Sequence, residues 1–522
     1  MRCANKLVPK PDKVIEKDGV FIVPEVFTFS NDSFPSWCFT AFEERMNSRS
    51  GTGQVCITVT RKDDIPKEGY VLEVEEKSIQ IFASDERGVI WALTSLYLLA
   101  QDGEAACCTV EDSPRYEHRG QSLDCSRHFF TAEEVKKIIE GLALAKINVL
   151  HWHLADDQGW RIESKKYPLL QQMSGEYYTQ EEIREIDLYA RDRGVEVVPE
   201  IDMPGHNSAL LAAYPQYSCT GEKVEVKKTG GIYPVILCPG KEDTFVFLED
   251  LIKEVSSLFR SKRFHMGGDE APKDKWKECP DCRKRMAEEG LSSEDDLQGY
   301  FSCRVAQTLR ALGKTVILWN EGLLTELVPE NAQIQYWTLN YRETAEKWAR
   351  EGKPWIYSDM FELYLDYPHS MTPLKKVFET VPHFGKDNWT GSMLGMESCM
   401  WCEHVASGEL LEERIFPRVL ALAETTWCRE GGDYQDFLDR LRKVLDAYDA
   451  AGICFTKEDH WDPEGKARRD EAISYMTGSL SQVEPGTKKR AAPSREFVSS
   501  FFKKFFKLSD IIFLIKAMIF KK

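Results

Sequence analysis

The chain has 522 residues, 42% hydrophobic and 29% charged, with 33 Gly and 23 Pro. At roughly 100 to 200 residues per domain this is a protein of two or three domains, and its composition excludes collagen-like, low-complexity and mainly disordered classes. The 85 Asp and Glu exceed the 68 Lys and Arg and give a formal charge of -17, which repels a nucleic-acid backbone and argues against DNA or RNA as a partner.

Residues 1–19 carry Lys6, Pro9, Lys10, Pro11, Asp12, Lys13, Glu16 and Lys17, which leave no room for the apolar core of a secretory signal. The 15 Cys follow no disulfide-scaffold spacing. Both features lead to the expectation of reduced thiols and a cytoplasmic location. Tyr70, Leu72 and Val74 then alternate with Val71 and Glu73, a second β-rich run covers 79–82, and Trp91, Leu93, Leu96 and Leu99 follow helical spacing. This is a small α+β domain, assigned to 1–113.

Beyond Pro114 the pattern becomes short apolar runs separated by helical stretches such as 132–145 and 181–193. The runs fall at 121–124, 148–154, 195–201, 263–267, 315–319, 332–337, 354–358 and 392–400. Repeated β-then-α units imply a parallel sheet, and eight of them close a (β/α)₈ barrel, here placed over 114–460. The fold class is therefore α/β, a (β/α)₈ barrel preceded by a small α+β domain. Chemistry in such barrels sits at the carboxyl ends of the strands. Those ends read Asp124, Asp156, Asp202, Asp269 with Glu270, Trp319, Trp337, Asp359, and Trp401 with Glu403. Indole faces stack on the C–H faces of sugar rings and carboxylates bind their hydroxyls, so the mouth reads as a carbohydrate site.

Three motifs carry the most information: His265-Met266-Gly267-Gly268-Asp269-Glu270, His151-Trp152-His153-Leu154-Ala155-Asp156-Asp157, and Asp202-Met203-Pro204-Gly205-His206. Paired glycines ahead of paired carboxylates let a ligand approach a strand end closely. Together, and in barrel order, the motifs resemble the β-N-acetylhexosaminidases of glycoside hydrolase family 20. The resemblance implies an exo-acting retaining hydrolase that removes terminal non-reducing N-acetylhexosamine, with Glu270 as general acid and Asp269 orienting the substrate's own 2-acetamido group. The acetamide oxygen is then the nucleophile and an oxazolinium ion the intermediate, the substrate-assisted exception among glycosidases. It also implies that Arg119 and Glu403 bind sugar hydroxyls, that Tyr364 and Asp366 hold the acetamide oxygen and a further hydroxyl, and that Trp319, Trp337 and Trp401 wall the acetamide pocket. Asp156, Asp202 and His206 are expected behind the acid pair, with His206 linked to it.

No metal or other cofactor is expected. A metal at His151 and His153 would need further ligands on later strands, and the runs ending at Trp319, Trp337 and Ser358 contain no His; the pair is read as packing and hydrogen bonding. Cys279-Pro280-Asp281-Cys282 is read as a loop with two thiols, because no second CxxC stands at zinc-site spacing. Residues 461–496 are expected to be a linker, polar and Pro/Gly-containing from 481 onward. Residues 497–522 form a basic amphipathic segment, with Phe497, Phe501, Phe505, Leu508, Ile512, Ile515 and Ile519 on one stripe and Lys503, Lys504 and Lys507 beside it. Lys516 makes it too short to span a bilayer, so the expected partners are an N-acetylhexosamine-terminated glycan and, through this segment, a membrane surface. Removing it is expected to leave turnover intact.

Overall fold

The computed structural model describes residues 6–31, 33–46, 53–384, 391–429, 431–481 and 504–505. Its amino-terminal unit is a six-stranded sheet of β1 (Lys13–Ile22), β2 (Val26–Asn31), β3 (Gln54–Arg61), β4 (Tyr70–Glu75), β5 (Ser78–Ala83) and β6 (Glu104–Asp112), in the order β1-β6-β4-β5-β3-β2. The period-two pattern of β4 buries Tyr70, Leu72 and Val74. The helix Glu86–Leu99 begins where Asp85 accepts the Gly88 N–H, an N-cap that satisfies one orphan donor. It is buried at every position from Gly88 to Leu99, and Trp91 meets the barrel residue Trp427 edge-on at 6.4 Å between centroids. A helix apolar all round must be covered on all sides.

Each expected run then becomes a barrel strand. The strands are β7 (His118–Asp124) and β8 (Val149–His153), then, after a short ribbon of β9 (Ala155–Asp156) and β10 (Gly159–Trp160), β11 (Glu196–Glu200), β12 (Arg263–His265), β13 (Thr315–Trp319), β14 (Gln333–Tyr336), β15 (Trp355–Tyr357) and β16 (Met393–Ser398). The barrel is closed and parallel, with β16 returning to β7 in the register Gly395↔His118. The outer helices Ala132–Leu144 and Gln180–Arg191 start at capping boxes, Thr131 with Glu134 and Thr179 with Glu182, which fix where each helix leaves its loop.

The barrel interior is layered. Val149, Val198, Ile317 and Ile356 fill a lower apolar layer. Above it lies a buried ionic layer: Glu200 contacts His153 Nδ1, His265 Nδ1 at 2.9 Å and His151 Nε2 at 3.1 Å. Glu397 takes His151 Nδ1 at 2.8 Å and His118 Nε2 at 2.9 Å. Burial opposes ionisation of both carboxylates, but the imidazoles outweigh it and hold Glu200 and Glu397 below the usual carboxylate range. His151 and His153 are thus engaged by carboxylates of neighbouring strands.

The span 461–496 is not linker throughout. Residues Gly465–Ser481 form a helix, and Ala472, Ile473, Tyr475 and Met476 pack into the cluster around Trp337 and Tyr364. Apolar side chains at helical spacing find a ready apolar partner there, and this overrides the polar composition of the surrounding sequence. Residues 482–496 lie outside the described residues.

Candidate active site

The last strand residue before the acid pair is His265, and Met266-Gly267-Gly268 carries the chain out of the barrel. Gly267 has φ 66°, and a Cβ there would stand 2.0 Å from Asp202 Oδ1, so glycine is what lets this backbone pass. The same Asp202 oxygen accepts the Gly268 N–H at 3.0 Å. Asp269 and Glu270 consequently reach a cavity of about 340 Å³ at the carboxyl end of the barrel. Glu270 is itself left-handed at φ 48°, a strain of about 1–3 kcal/mol that its surroundings must hold in place. One tether is its own N–H, which donates to Glu321 Oε1 at 3.3 Å.

Behind the pair, His206 Nε2 stands 3.6 Å from Glu270 Oε2 and 4.0 Å from Asp269 Oδ2. Its Nδ1 faces Asp156 Oδ1 at 3.2 Å and Asp157 Oδ2 at 3.4 Å. Burial disfavours the imidazolium, but Asp156 and the other carboxylates prevail, and His206 is held protonated well above its ordinary value. Asp269 is pushed up to about 6 by burial, with Glu270 adding to the shift while His206 and a hydrogen bond with Asp202 oppose it. Burial and the Asp269 charge push Asp202 well up. Burial, Asp269 and Glu270 do the same to Glu321, whose Oε2 accepts the Trp337 indole N–H at 3.1 Å. The acid pair is therefore flanked by two carboxyls biased toward their protonated forms, Asp202 and Glu321, while Asp156, held down by Arg127 and His206 against its burial, stays ionised behind His206.

Ten of the twelve residues expected at the site line this cavity: Asp156, Asp202, His206, Asp269, Glu270, Trp337, Tyr364, Asp366, Trp401 and Glu403. Trp337 and Tyr364 present nearly parallel rings, 13° apart at 6.3 Å between centroids. Trp319 stands behind the wall, 1% exposed, 5.9 Å from Trp401 between ring centroids and with its indole N–H on Glu200 at 3.0 Å. Asp366 is pushed up to about 8 by burial and then by Glu403. Its Oδ1 and that of Asp269 are buried acceptors with no hydrogen-bond partner in the protein, as expected of groups whose partner is a ligand.

Arg119 requires correction. It is the second residue of β7 and points into the opposite end of the barrel, fully buried. Its guanidinium donates to Glu68 Oε2 at 2.6 Å and to the carbonyls of Tyr116 and Lys146, fastening the amino-terminal domain to the barrel floor. Five residues at about 3.3 Å each separate it by roughly 16 Å from Asp124, where the strand reaches the site. The arginine at the cavity is Arg127, three residues past that strand end, paired with Asp156 Oδ2 at 2.6 Å and Asp124 Oδ2 at 3.5 Å. Its signal in the sequence is Asp124-Cys125-Ser126-Arg127, an ion pair spaced for a single turn after β7.

Two further groups come from far along the chain. Tyr475 and Met476 of the helix Gly465–Ser481 line the cavity. Phe505 is buried, 4.9 Å from the cavity residue Tyr367 and 5.5 Å from Phe361 between ring centroids, while Lys504 pairs with Glu362 at 2.7 Å. At these positions the apolar stripe of the basic segment faces the barrel; the rest of that segment lies outside the described residues. Among the described residues, no helix is long and apolar enough to cross a membrane.

The sequence description "Glycosyl hydrolase family 20, catalytic domain" matches residues 116–430, and "Glycosyl hydrolase family 20, domain 2" matches residues 4–113. A β-hexosaminidase of Porphyromonas gingivalis is 34% identical over 74% of this chain, which spans 54% of that relative's length. The crystal structure of a Bacteroides fragilis β-N-acetylhexosaminidase superposes with a TM-score of 0.78 at 31% identity, covering 86% of this chain and 96% of that one. An exo β-N-acetylglucosaminidase of Vibrio harveyi, solved with N-acetylglucosamine, gives 0.77 at 28% identity, over 87% of this chain and 78% of that one. These matches span the barrel and the appended sheet over most of the chain, which thus belongs to glycosyl hydrolase family 20.

Proposed function

We propose that this chain is an exo-acting, retaining β-N-acetylhexosaminidase that releases terminal non-reducing N-acetylglucosamine or N-acetylgalactosamine by substrate-assisted catalysis. The observation that carries the reading is Asp269 Oδ1, a buried acceptor without a protein partner on a wall shared with the Trp337 and Tyr364 rings. An amide N–H satisfies that oxygen, and an acetamide methyl fits between aromatic faces.

In this mechanism Glu270 gives its proton to the glycosidic oxygen as the bond to the anomeric carbon breaks. The acetamide carbonyl oxygen attacks that carbon from the opposite face, and Asp269 accepts the amide N–H and balances the charge of the oxazolinium. The Tyr364 hydroxyl faces the carbonyl side. Glu270, now ionised, takes a proton from the water that reopens the ring, so two inversions give net retention. Arg127, Asp366 and Glu403, together on the cavity wall, hold hydroxyls of the terminal sugar. The β-hexosaminidase relatives support the sugar, and the Vibrio harveyi exo β-N-acetylglucosaminidase supports exo action.

The test compares an aryl N-acetyl-β-glucosaminide and its galacto epimer with the matching β-glucoside, following the first-formed anomer by NMR. Release of the β-anomer from the acetamido sugars alone is the expected result. Equal cleavage of the 2-hydroxy sugar, or release of the α-anomer, would overturn the mechanism.

A further inference from the structure

Four cysteines that take no part in the cavity converge beside it. Cys219 and Cys238 sit at either end of the long loop that brings Gly230 and Gly231 to the cavity wall. Cys279 occupies the N-cap of the helix Pro280–Glu289, and Cys282 lies in its first turn. The Cys238 and Cys282 sulfurs are 3.5 Å apart, while the Cys219–Cys282 and Cys238–Cys279 separations are both 3.8 Å. All four sulfurs lie within 4.8 Å of one another.

Those separations are diagnostic. Four sulfurs at about 2.3 Å from a central zinc ion in a tetrahedron stand about 3.8 Å apart, whereas a disulfide joins two sulfurs at about 2.05 Å. The surroundings are closed and dry, with Ile236, Trp276 and Leu297 packed around the sulfurs. Cys238, Cys279 and Cys282 are buried and Cys219 is only partly exposed. The backbone is shaped for the encounter as well. A Cβ on Gly240 would stand 2.2 Å from the Asp281 carbonyl carbon and 2.3 Å from the Cys282 nitrogen, so glycine is needed two residues past Cys238. The Trp276 indole N–H donates to the Leu237 carbonyl at 2.9 Å, a second tie between the same segments.

We propose that Cys219, Cys238, Cys279 and Cys282 form a structural Cys₄ zinc site. Four thiols lose their protons to solvent and four thiolate–zinc bonds form around one Zn²⁺, leaving a centre of net charge -2 with no position for water or substrate. Soft thiolates select zinc over the oxygen-loving divalent cations. The ion pins both ends of the loop to the segment that follows Glu270. Between those ends the loop donates the Lys227 N–H to the Asp157 carbonyl at 2.9 Å and accepts the Gln158 side-chain amide on the Thr229 carbonyl at 2.7 Å. One wall of the cavity is thereby fixed relative to the acid pair. Cys279-Pro280-Asp281-Cys282 has its second pair in two cysteines that no CxxC spacing joins.

The full chain, produced in zinc-supplemented medium and purified under reductant without chelator, should carry about one zinc per chain by elemental analysis. A mercurial that caps thiolates should release it stoichiometrically, as read by a zinc-binding dye. Cobalt(II) in its place should show the intense visible bands of tetrahedral tetrathiolate coordination. Cys279→Ser/Cys282→Ser should fall below ~0.2 zinc per chain, whereas Cys219→His, which supplies another zinc ligand, should keep about one. Should the double variant fail to fold, the mercurial release and the cobalt spectrum of the parent still decide. Zinc below ~0.2 per chain in the reduced parent, about one iron in its place, a disulfide among the four in anaerobically prepared protein, or full zinc in a folded double variant would each overturn the site.

Discussion

His206 and Glu270 face each other at 3.6 Å, and both do so from left-handed backbone, at φ 51° and 48°. Neither residue type prefers that region, so the loops after β11 and β12 hold two strained turns against one another. Asp156 and Asp157 hold the His206 imidazolium from behind, which gives the acid pair a fixed cation without exposing it to water. For His206→Asn we expect kcat to fall by roughly 10- to 100-fold, as for loss of a positioning group in acid catalysis. The sign of the pH effect follows from the charge: a cation favours Asp269 ionisation, so its removal raises that carboxyl further. The acid limb of kcat/KM, expected near the Asp269 value of about 6 in the parent, should move to higher pH. An unmoved limb would refute the coupling.

The two carboxylates of the pair should fail differently. Glu270→Gln removes the proton and keeps the shape, so a loss of roughly 10²- to 10⁴-fold is expected with poor leaving groups and much less with activated aryl ones. Asp269→Asn impairs ring closure, where effective molarity can supply ~7–11 kcal/mol, so its defect should persist with activated leaving groups. A Brønsted plot of rate against leaving-group pKa separates the two.

Arg119 and Arg127 should separate stability from catalysis. Arg119→Met leaves Glu68 buried without its main partner, a change that typically costs 3–5 kcal/mol, or roughly a third or more of a domain's stability. Burial works against Glu68 ionisation, but Arg119 and Arg87 hold it down to about 2, against an ordinary 4.5. A depressed carboxylate stabilises fully above its unfolded value and ceases to do so as pH falls through the folded one. The Tm deficit should therefore be full above pH about 4.5 and close toward pH about 2. Activity per folded molecule should survive. Arg127→Met should instead raise KM and lower kcat/KM with the fold intact.

The carboxyl-terminal region should matter to the cavity, against the expectation that its removal leaves turnover intact. Phe505→Ala deletes a fully buried ring at a typical cost of 3–5 kcal/mol. Because that ring supports Tyr367, KM should rise as Tm falls. Tyr475→Ala opens the cavity wall directly, and a KM increase on the order of tenfold, the equivalent of ~1.4 kcal/mol, is expected with little change in kcat. Steady-state kinetics on purified, folded variants reads both.

The barrel was legible because strands covered on both faces become short continuous apolar runs, so that Val195 to Ile201 or Thr315 to Trp319 announce themselves. The acid pair was legible because strand-end chemistry is local in sequence. Arg119 was assigned to the sugar by resemblance, at His118-Arg119-Gly120, and because the run that marked the strand began two residues later, at Gln121, the pattern did not show that Arg119 sits at the strand's opposite end. Arg127 and Glu321 lie just past strand ends, where only the turn decides what reaches the cavity. Tyr475 was hidden for a different reason: a side chain more than a hundred residues from the acid pair reaches the wall only through tertiary packing, which no periodicity encodes.

The ionic layer inside the barrel bears on how the fold can be divided. Glu397 on the closing strand β16 takes the Nε2 of His118 on β7 and the Nδ1 of His151 on β8, so buried polar groups of the first two strands find a partner on the last. Many (β/α)₈ proteins can be imagined as two half-barrels, each with its own oily interior. Here a fragment ending before Met393 would leave His118 Nε2 and His151 Nδ1 without Glu397, and a fragment lacking β7 and β8 would leave the buried Glu397 carboxylate with the neutral Gln335 amide in place of its imidazoles. The chain must therefore fold as a closed ring or leave that layer in water, which makes it a poor candidate for splitting or circular permutation between β8 and β16 and ties the cavity above to completion of the entire cylinder.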